Sequence, residues 1–173
     1  MIERMKTFLL SALVCSLFVV AVRGADEAAT AAMLSGESLG ELRINLAEKE
    51  VIKLLGQPAK RGELTYQEAD GNYVQDWQYP AQGIDLTMSA GEKKTGAKTI
   101  VTITASAPCA FATKKGIKIG TEESVVRKAY AAFADRESPP EPGSYVVGSI
   151  YGGIIFNFEQ GKVSQIFFGA AAE

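Results

Sequence analysis

Apolar side chains change their period along the chain twice, in the same order each time. Val51, Leu54 and Leu55 recur at i, i+3, i+4, and Val126, Ala129, Tyr130 and Phe133 at i, i+3, i+4, i+7, spacings that put each set on one face of a helix. After each helix the period falls to two, the repeat of a half-buried strand. In the first stretch Tyr73, Gln75, Trp77 and Tyr79 share one side while Val74, Asp76 and Gln78 point the other way, and Ile84, Leu86 and Met88 then alternate with Asp85, Thr87 and Ser89. A charged turn over 91–96 leads to a third predicted strand over Thr99–Ala105. The second stretch predicts strands over Ser144–Tyr151, Gly153–Phe158 and Lys162–Phe168, with a turn at Gln160-Gly161.

The two stretches align at a constant offset of 75 through their helices, so that Ile44 meets Ile119, Glu48 meets Glu123 and Val51 meets Val126. Beyond the helices the offset changes, since loop lengths are free to vary. Gly83 then meets Gly153, and Ile100-x-x-Ile103 meets Val163-x-x-Ile166. Thr121 is the expected N-cap of the second helix, with Glu122 and Glu123 in its first turn facing the positive end of the dipole. Gly56 and Pro58 stop the first helix. Helices followed by antiparallel strands, twice over, predict an α+β fold of two tandem units, each of one or two helices on a three- to four-stranded antiparallel sheet. The first unit is placed at 38–107 and the second at 108–173. Units of this size are marginal alone, so they are expected to pack against each other.

The unit-two strands are apolar on both sides. Tyr145, Val147, Tyr151, Ile154, Phe156 and Phe158 are expected on one face, and Val146, Ile150 and Ile155 on the other. A sheet of that kind needs cover on both faces, from unit one, another copy or a partner.

Residues 1–24 have the order of a secretory signal: Arg4 and Lys6, an apolar run from Phe8 to Val22, then small Gly24 before the expected cut. That run is about 15 residues, short of the ~20 that span a bilayer. Residues 25–37 are an Ala-rich leader, expected to be mobile or weakly helical. A periplasmic or secreted protein is therefore expected. Without residues 1–24 the 18 basic and 20 acidic residues become 15 and 19, net −4, an acidic balance that offers nucleic acid no basic footprint. Cys109 is then the one remaining cysteine, so no internal disulfide forms, and its setting between Pro108 and Ala110 reads as a buried thiol.

The chain has no histidine, which removes the commonest general base and the commonest transition-metal ligand. Acid–base chemistry would fall to Glu68, Asp70, Asp76 and Asp85, in or beside one hairpin, yet nothing supplies the cleft a carboxylate pair needs, and they read as solvated outer charges. Glu68-Ala69-Asp70-Gly71-Asn72 is only a fragment of a calcium loop. The glycines at 148, 152, 153 and 161 form no phosphate loop, and no serine has an activating base. Lysines cluster at 93, 94, 98 and at 114, 115, 118, where they discourage edge pairing and leave contact with an anionic membrane surface open. No enzyme, cofactor or metal site is expected.

Ile119-Gly120-Thr121 opening a helix, the exit Leu55-Gly56-Gln57-Pro58, the strand Trp77-Gln78-Tyr79 and the closing Gly161-Lys162-Val163-x-x-Ile166 resemble the SmpA/OmlA envelope lipoproteins, and tandem copies are similar to the β-lactamase inhibitor protein family. The resemblance covers residues 38–168 and departs from the pattern at Asn45, where a glycine is usual, and in lacking the lipidation cysteine. It implies helices against a curved four-stranded antiparallel sheet, and a task of binding protein. The expectation is thus an exported, non-catalytic protein-binding module of the bacterial cell envelope, acting through a sheet face and loops. Its alternatives are an inhibitor or immunity-type protein against a secreted or periplasmic enzyme, and an envelope assembly or scaffold subunit. The candidate partner-binding residues are Tyr73, Trp77, Tyr79, Tyr145 and Tyr151 on the strands, with Arg136 and Glu137 in the longest irregular loop.

Overall fold

The computed structural model describes residues 29–68, 71–135 and 141–171. The chain divides into one unit ending at Ser35 and another from Gly36 to Glu173. Residues 29–36 are helical (α1); residues 1–24, read as an export signal, lie outside the described residues.

From Gly36 onward the elements are α2 (Glu48–Leu55), β1 (Lys60–Arg61), β2 (Thr65–Gln67), β3 (Asn72–Tyr79), β4 (Ile84–Ser89), β5 (Thr99–Ser106), α3 (Glu123–Tyr130) with a 3-10 turn Ala131–Phe133, β6 (Ser144–Ser149), β7 (Gly152–Glu159) and β8 (Lys162–Gly169). The fold is α+β and the strands are antiparallel. They form one eight-stranded sheet in the order β1-β3-β4-β5-β8-β7-β6, with β2 also paired to β3. The two stretches therefore meet edge to edge, and neither covers a face of the other. The junction pairs Ile103 with Phe168, Thr104 with Phe167 and Ala105 with Ile166. Backbone groups at the exposed edges of β5 and β8 would otherwise stay unpaired, and pairing them to each other removes both edges at once.

One face of this sheet is the core. Trp77, Leu86, Ile103, Phe168 and Ile154 lie on it in one cross-strand row, and every one of them is at most 4 % exposed. Each such side chain contributes about 1.5–3 kcal/mol by leaving water. Both helices cover this same face. Val51 of α2 and Val126 and Tyr130 of α3 are fully buried. The Tyr130 ring lies 5.3 Å from Phe156, the Arg127 guanidinium stacks 4.8 Å over Tyr145, and the Tyr79 hydroxyl donates to the Gly56 carbonyl at 3.3 Å beyond the end of α2.

Helix ends follow local chemistry. Gly56, at φ 80°, turns its N–H onto the Ile52 carbonyl (2.9 Å), so α2 stops where expected. Thr121 does not cap α3, because its hydroxyl accepts the Lys118 N–H (3.0 Å) in the preceding turn and Glu122 takes the cap position with no side-chain bond. That turn recurs in the first half. Asn45 N–H donates to Ile100 O, as Gly120 donates to Val163 O; Ile100 N–H donates to Leu46 O, as Val163 donates to Thr121 O; Glu48 N–H donates to Lys98 O, as Glu123 donates to Gly161 O. Asn45 and Gly120 both have positive φ, 66° and 85°, and asparagine is the side chain that best tolerates the conformation glycine otherwise supplies. Register shifts fall at Thr87/Met88 in β4 and at Asn157/Phe158 in β7.

Candidate interface on the open face of the sheet

Because α2 and α3 share a face, neither of them covers the opposite one. Antiparallel pairing places residues directly opposite each other on the same side, so registers define rows. One row crosses seven strands: exposed Lys60 of β1 faces Gln78, Gln78 faces Asp85, Asp85 faces Thr104, Thr104 faces Phe167, Phe167 faces Ile155, and Ile155 faces Val146. Gln78 and Asp85 are exposed, and the other four are half-buried. The row is polar from β3 to β5 and apolar from β8 to β6. A second polar row, Asp76, Thr87 and Thr102, runs beside it, with the Thr87 hydroxyl donating to Asp76 Oδ1 at 3.1 Å. Asp76, Gln78, Asp85, Thr87, Thr102 and Thr104 line a shallow hollow of about 230 Å³.

Asp76 and Asp85 are diagonal neighbours on adjacent strands, a geometry that brings side chains to ~7–8 Å. Among the described residues neither carboxylate has an ion pair, and no three of Cys, Asp and Glu gather closely enough to hold a metal ion. Glu68 lies exposed in the turn after β2, and Asp70 lies outside the described residues.

The aromatic residues expected to bind a partner point elsewhere. Trp77 and Tyr79 lie on the core face at 1 % and 2 % exposure and hold the sheet to the helices, so they present no surface. Burial pushes the Tyr79 hydroxyl above its ordinary pKa against the opposing charge of Arg61. Tyr73 is half-buried on the same side, 5.1 Å from the ring of Tyr66. Tyr145 is half-buried beneath Arg127, and burial outweighs that cation to push its pKa up too. Tyr151 is not on a strand but in the β6–β7 turn, 69 % exposed. Arg136 and Glu137 lie outside the described residues. Of the five aromatic residues in the expected set, Tyr151 alone is exposed, and none of the five belongs to the open-face row.

The open face is formed by the other parity of the same strands. The alternation of Thr102 and Thr104 with Ile103, and of Ile155 with Ile154 and Phe156, marks two faces; only the placement of both helices on one side shows which is free.

The buried polar groups are matched internally. Among the described residues every buried side-chain nitrogen and oxygen has a hydrogen-bond partner. The Glu37 carboxylate, 5 % exposed, accepts from the backbone N–H groups of Lys114 (2.7 Å) and Ser38 (3.1 Å). The Tyr130 hydroxyl lies 2.9 Å both from Glu37 Oε2 and from Thr113 Oγ1. Cys109 is free and 6 % exposed, and burial raises its thiol pKa, the setting of an inert thiol. Among the described residues no helix is long and apolar enough to cross a membrane.

No family model matches the chain, and no curated protein or solved structure matches it.

Proposed function

We infer that the chain is an exported, non-catalytic protein-binding module of the bacterial cell envelope, built from two copies of one helix-plus-sheet unit and binding through the open face of its sheet and the adjoining loops. The observation that carries this reading is the face opposite α2 and α3: Phe167, Ile155 and Val146 lie side by side across three strands, half-buried, with neither of those helices above them. Contiguous apolar surface of this kind on a folded domain marks an interaction site more often than single scattered side chains do. The duplication is supported by the matched hydrogen bonds of Asn45 and Gly120, of Ile100 and Val163, and of Glu48 and Glu123. Export is supported by the basic, apolar and small-residue order of residues 1–24.

The test is photo-cross-linking in cells that export the full chain. A benzophenone side chain at Thr104, in the middle of the open row, is expected to give one discrete adduct, and the same group at exposed Lys128 of α3 none. An enzyme in the adduct would make the chain an inhibitor or immunity-type protein, and a membrane-associated assembly subunit would make it a scaffold. Equal labelling from both positions, or none from Thr104, refutes the reading.

A further inference from the structure

On the helix side of the sheet, apart from the open face, a hollow of about 600 Å³ lies between α2 and the tight turn that precedes it, within the ~300–1,000 Å³ typical of small-molecule sites. We propose that this hollow binds a small zwitterion of the amino-acid or short-peptide kind. Its carboxylate is held by the Ser38 hydroxyl and the bases Arg43, Lys53 and Lys114, its ammonium by Glu41 and Glu50, and its aliphatic side chain by Leu46 and Leu54.

Backbone bonds fix the walls. Leu39 and Leu42 exchange N–H and carbonyl groups (2.9 and 3.1 Å) in the turn that carries Glu41, and both leucines are buried, which holds the turn against the core. Glu37 Oε1 accepts the N–H groups of Ser38 and of Lys114, so two segments far apart in the chain are pinned to one oxygen beside the hollow. Opposite stands α2, where Glu50, Lys53 and Leu54 recur at i, i+3, i+4 and share one face.

The Ser38 hydroxyl is the observation that points to a ligand. Ser38 is 7 % exposed and lines the hollow, yet its hydroxyl makes no hydrogen bond among the described residues, where every fully buried side-chain oxygen has one. Its residual surface therefore opens into the hollow. A hydroxyl held almost out of water without an acceptor is costly, and a ligand oxygen would relieve it. Charge then selects the class of ligand. The ion pairs among the described residues are Lys98–Glu48, Arg127–Glu123 and Lys162–Glu122, so none of the five charged side chains lining the hollow takes part in one. A simple anion would meet three bases, but also Glu41 and Glu50 on the same walls and Glu37 behind Ser38; a simple cation would meet the reverse. A ligand of both signs leaves neither set facing like charge. No lining side chain is aromatic, which argues against the quaternary ammonium of a lipid headgroup and for a primary ammonium that donates hydrogen bonds to carboxylates. Leu54 supplies the apolar contact: it belongs to the same helical stripe as fully buried Val51 but is itself exposed at the hollow, next to buried Leu46.

The test is a titration of the isotope-labelled exported protein with leucyl-leucine, followed through backbone amide shifts. Saturable shifts are expected at Ser38, Lys53 and Lys114, with a Kd of ~1 mM, the affinity of a small ligand in an open hollow. Acetylating the dipeptide's amine or amidating its carboxylate should each weaken binding roughly two- to fivefold, the contribution of an exposed ion pair, and blocking both ends about tenfold. Ser38→Ala, which deletes a hydroxyl bond to the carboxylate, should cost about tenfold. Glu50→Gln and Lys114→Gln should each cost roughly two- to fivefold with unchanged urea midpoints, because both side chains are exposed. The absence of saturable shifts up to about 20 mM, equal affinity for either blocked dipeptide, or undiminished binding by all three variants overturns the proposal. Shifts confined to the open face overturn it as well, and cross-linking from Thr104 tests the open face independently of every one of these results.

Discussion

Replacing Tyr130 by phenylalanine deletes one oxygen from the best-connected buried polar cluster while leaving the ring against Phe156 in place. In the native protein Glu37 Oε1 accepts two backbone N–H groups, from Ser38 and Lys114, and Glu37 Oε2 is left to the Tyr130 hydroxyl at 2.9 Å. Thr113 accepts the Ile117 N–H at 3.2 Å and lies 2.9 Å from the same hydroxyl. Loss of a buried bond to a carboxylate costs about 1.5–3 kcal/mol, or roughly 4–10 °C in Tm for a chain of this size. The variant also has a pH signature. Burial, with the Glu37 charge beside it, raises the Tyr130 pKa above the ordinary 10.0, against a smaller opposing effect of Thr113. An unfolded tyrosine thus releases its proton above pH 10 while the folded one keeps it, so native stability is fully present below pH 10 and falls as pH rises beyond it, by up to ~1.4 kcal/mol per pH unit. Tyr130→Phe lacks that loss, so the two stability curves should differ at pH 7.5 and converge toward pH 11.5. Urea unfolding followed by Trp77, the single tryptophan and 1 % exposed, reads both quantities. An unchanged urea midpoint at neutral pH, or parallel slopes above pH 10, refutes the account.

Val51→Ala and Val126→Ala remove matched, fully buried side chains and are each expected to cost about 2 kcal/mol, within about 0.5 of one another; a large inequality in urea midpoints argues against equivalent helix packing. A methyl on Gly83 would meet the Ser106 carbonyl and the Cys109 nitrogen, and one on Gly153 the Val147 and Ser149 carbonyls, so Gly83→Ala and Gly153→Ala should each lose about 3 kcal/mol, where Gly36→Ala, with open space around it, should lose under about 1. Cys109 should resist a thiol reagent such as DTNB in the native state and react once in urea; fast native labelling would show that it is not buried.

Element existence was legible wherever the period was clean. Alternation in 73–79 and 84–88 reads directly as β3 and β4, and the stop at Gly56 follows from backbone geometry that glycine supplies without strain. The short β1 and β2, Lys60–Arg61 and Thr65–Gln67, carry no apolar period, because they are edge additions whose side chains stay largely in water. Ser144–Tyr151 reads one turn too long as a strand, since Ile150 and Tyr151 extend the apolar run into what is the β6–β7 turn. Which strand face lies under the helices was illegible for a related reason. Aromatic side chains are common both at interfaces and in cores, and periodicity separates two faces without saying which one a helix covers. The pairing of β5 with β8 is a tertiary fact with no local signal; neither strand's sequence says that its free edge meets the other's.

That junction shows where the two stretches agree and where they differ. Aligned by their register shifts, β4 and β7 match Ile84 to Ile154 and Leu86 to Phe156 on the core face, and β5 and β8 match Ile103 to Ile166; all six are 1 % exposed or less. Burial under helices leaves those positions no choice but apolar side chains. On the open face the matched positions have opposite character: Gln78 answers to Val146, Asp85 to Ile155, and Thr104 to Phe167. Folding does not demand this split, since a polar side chain at 146, 155 or 167 would satisfy a water-facing sheet at least as well as an apolar one. The six residues instead make one band, polar in one half and apolar in the other, and the two halves meet at the Thr104–Phe167 pair.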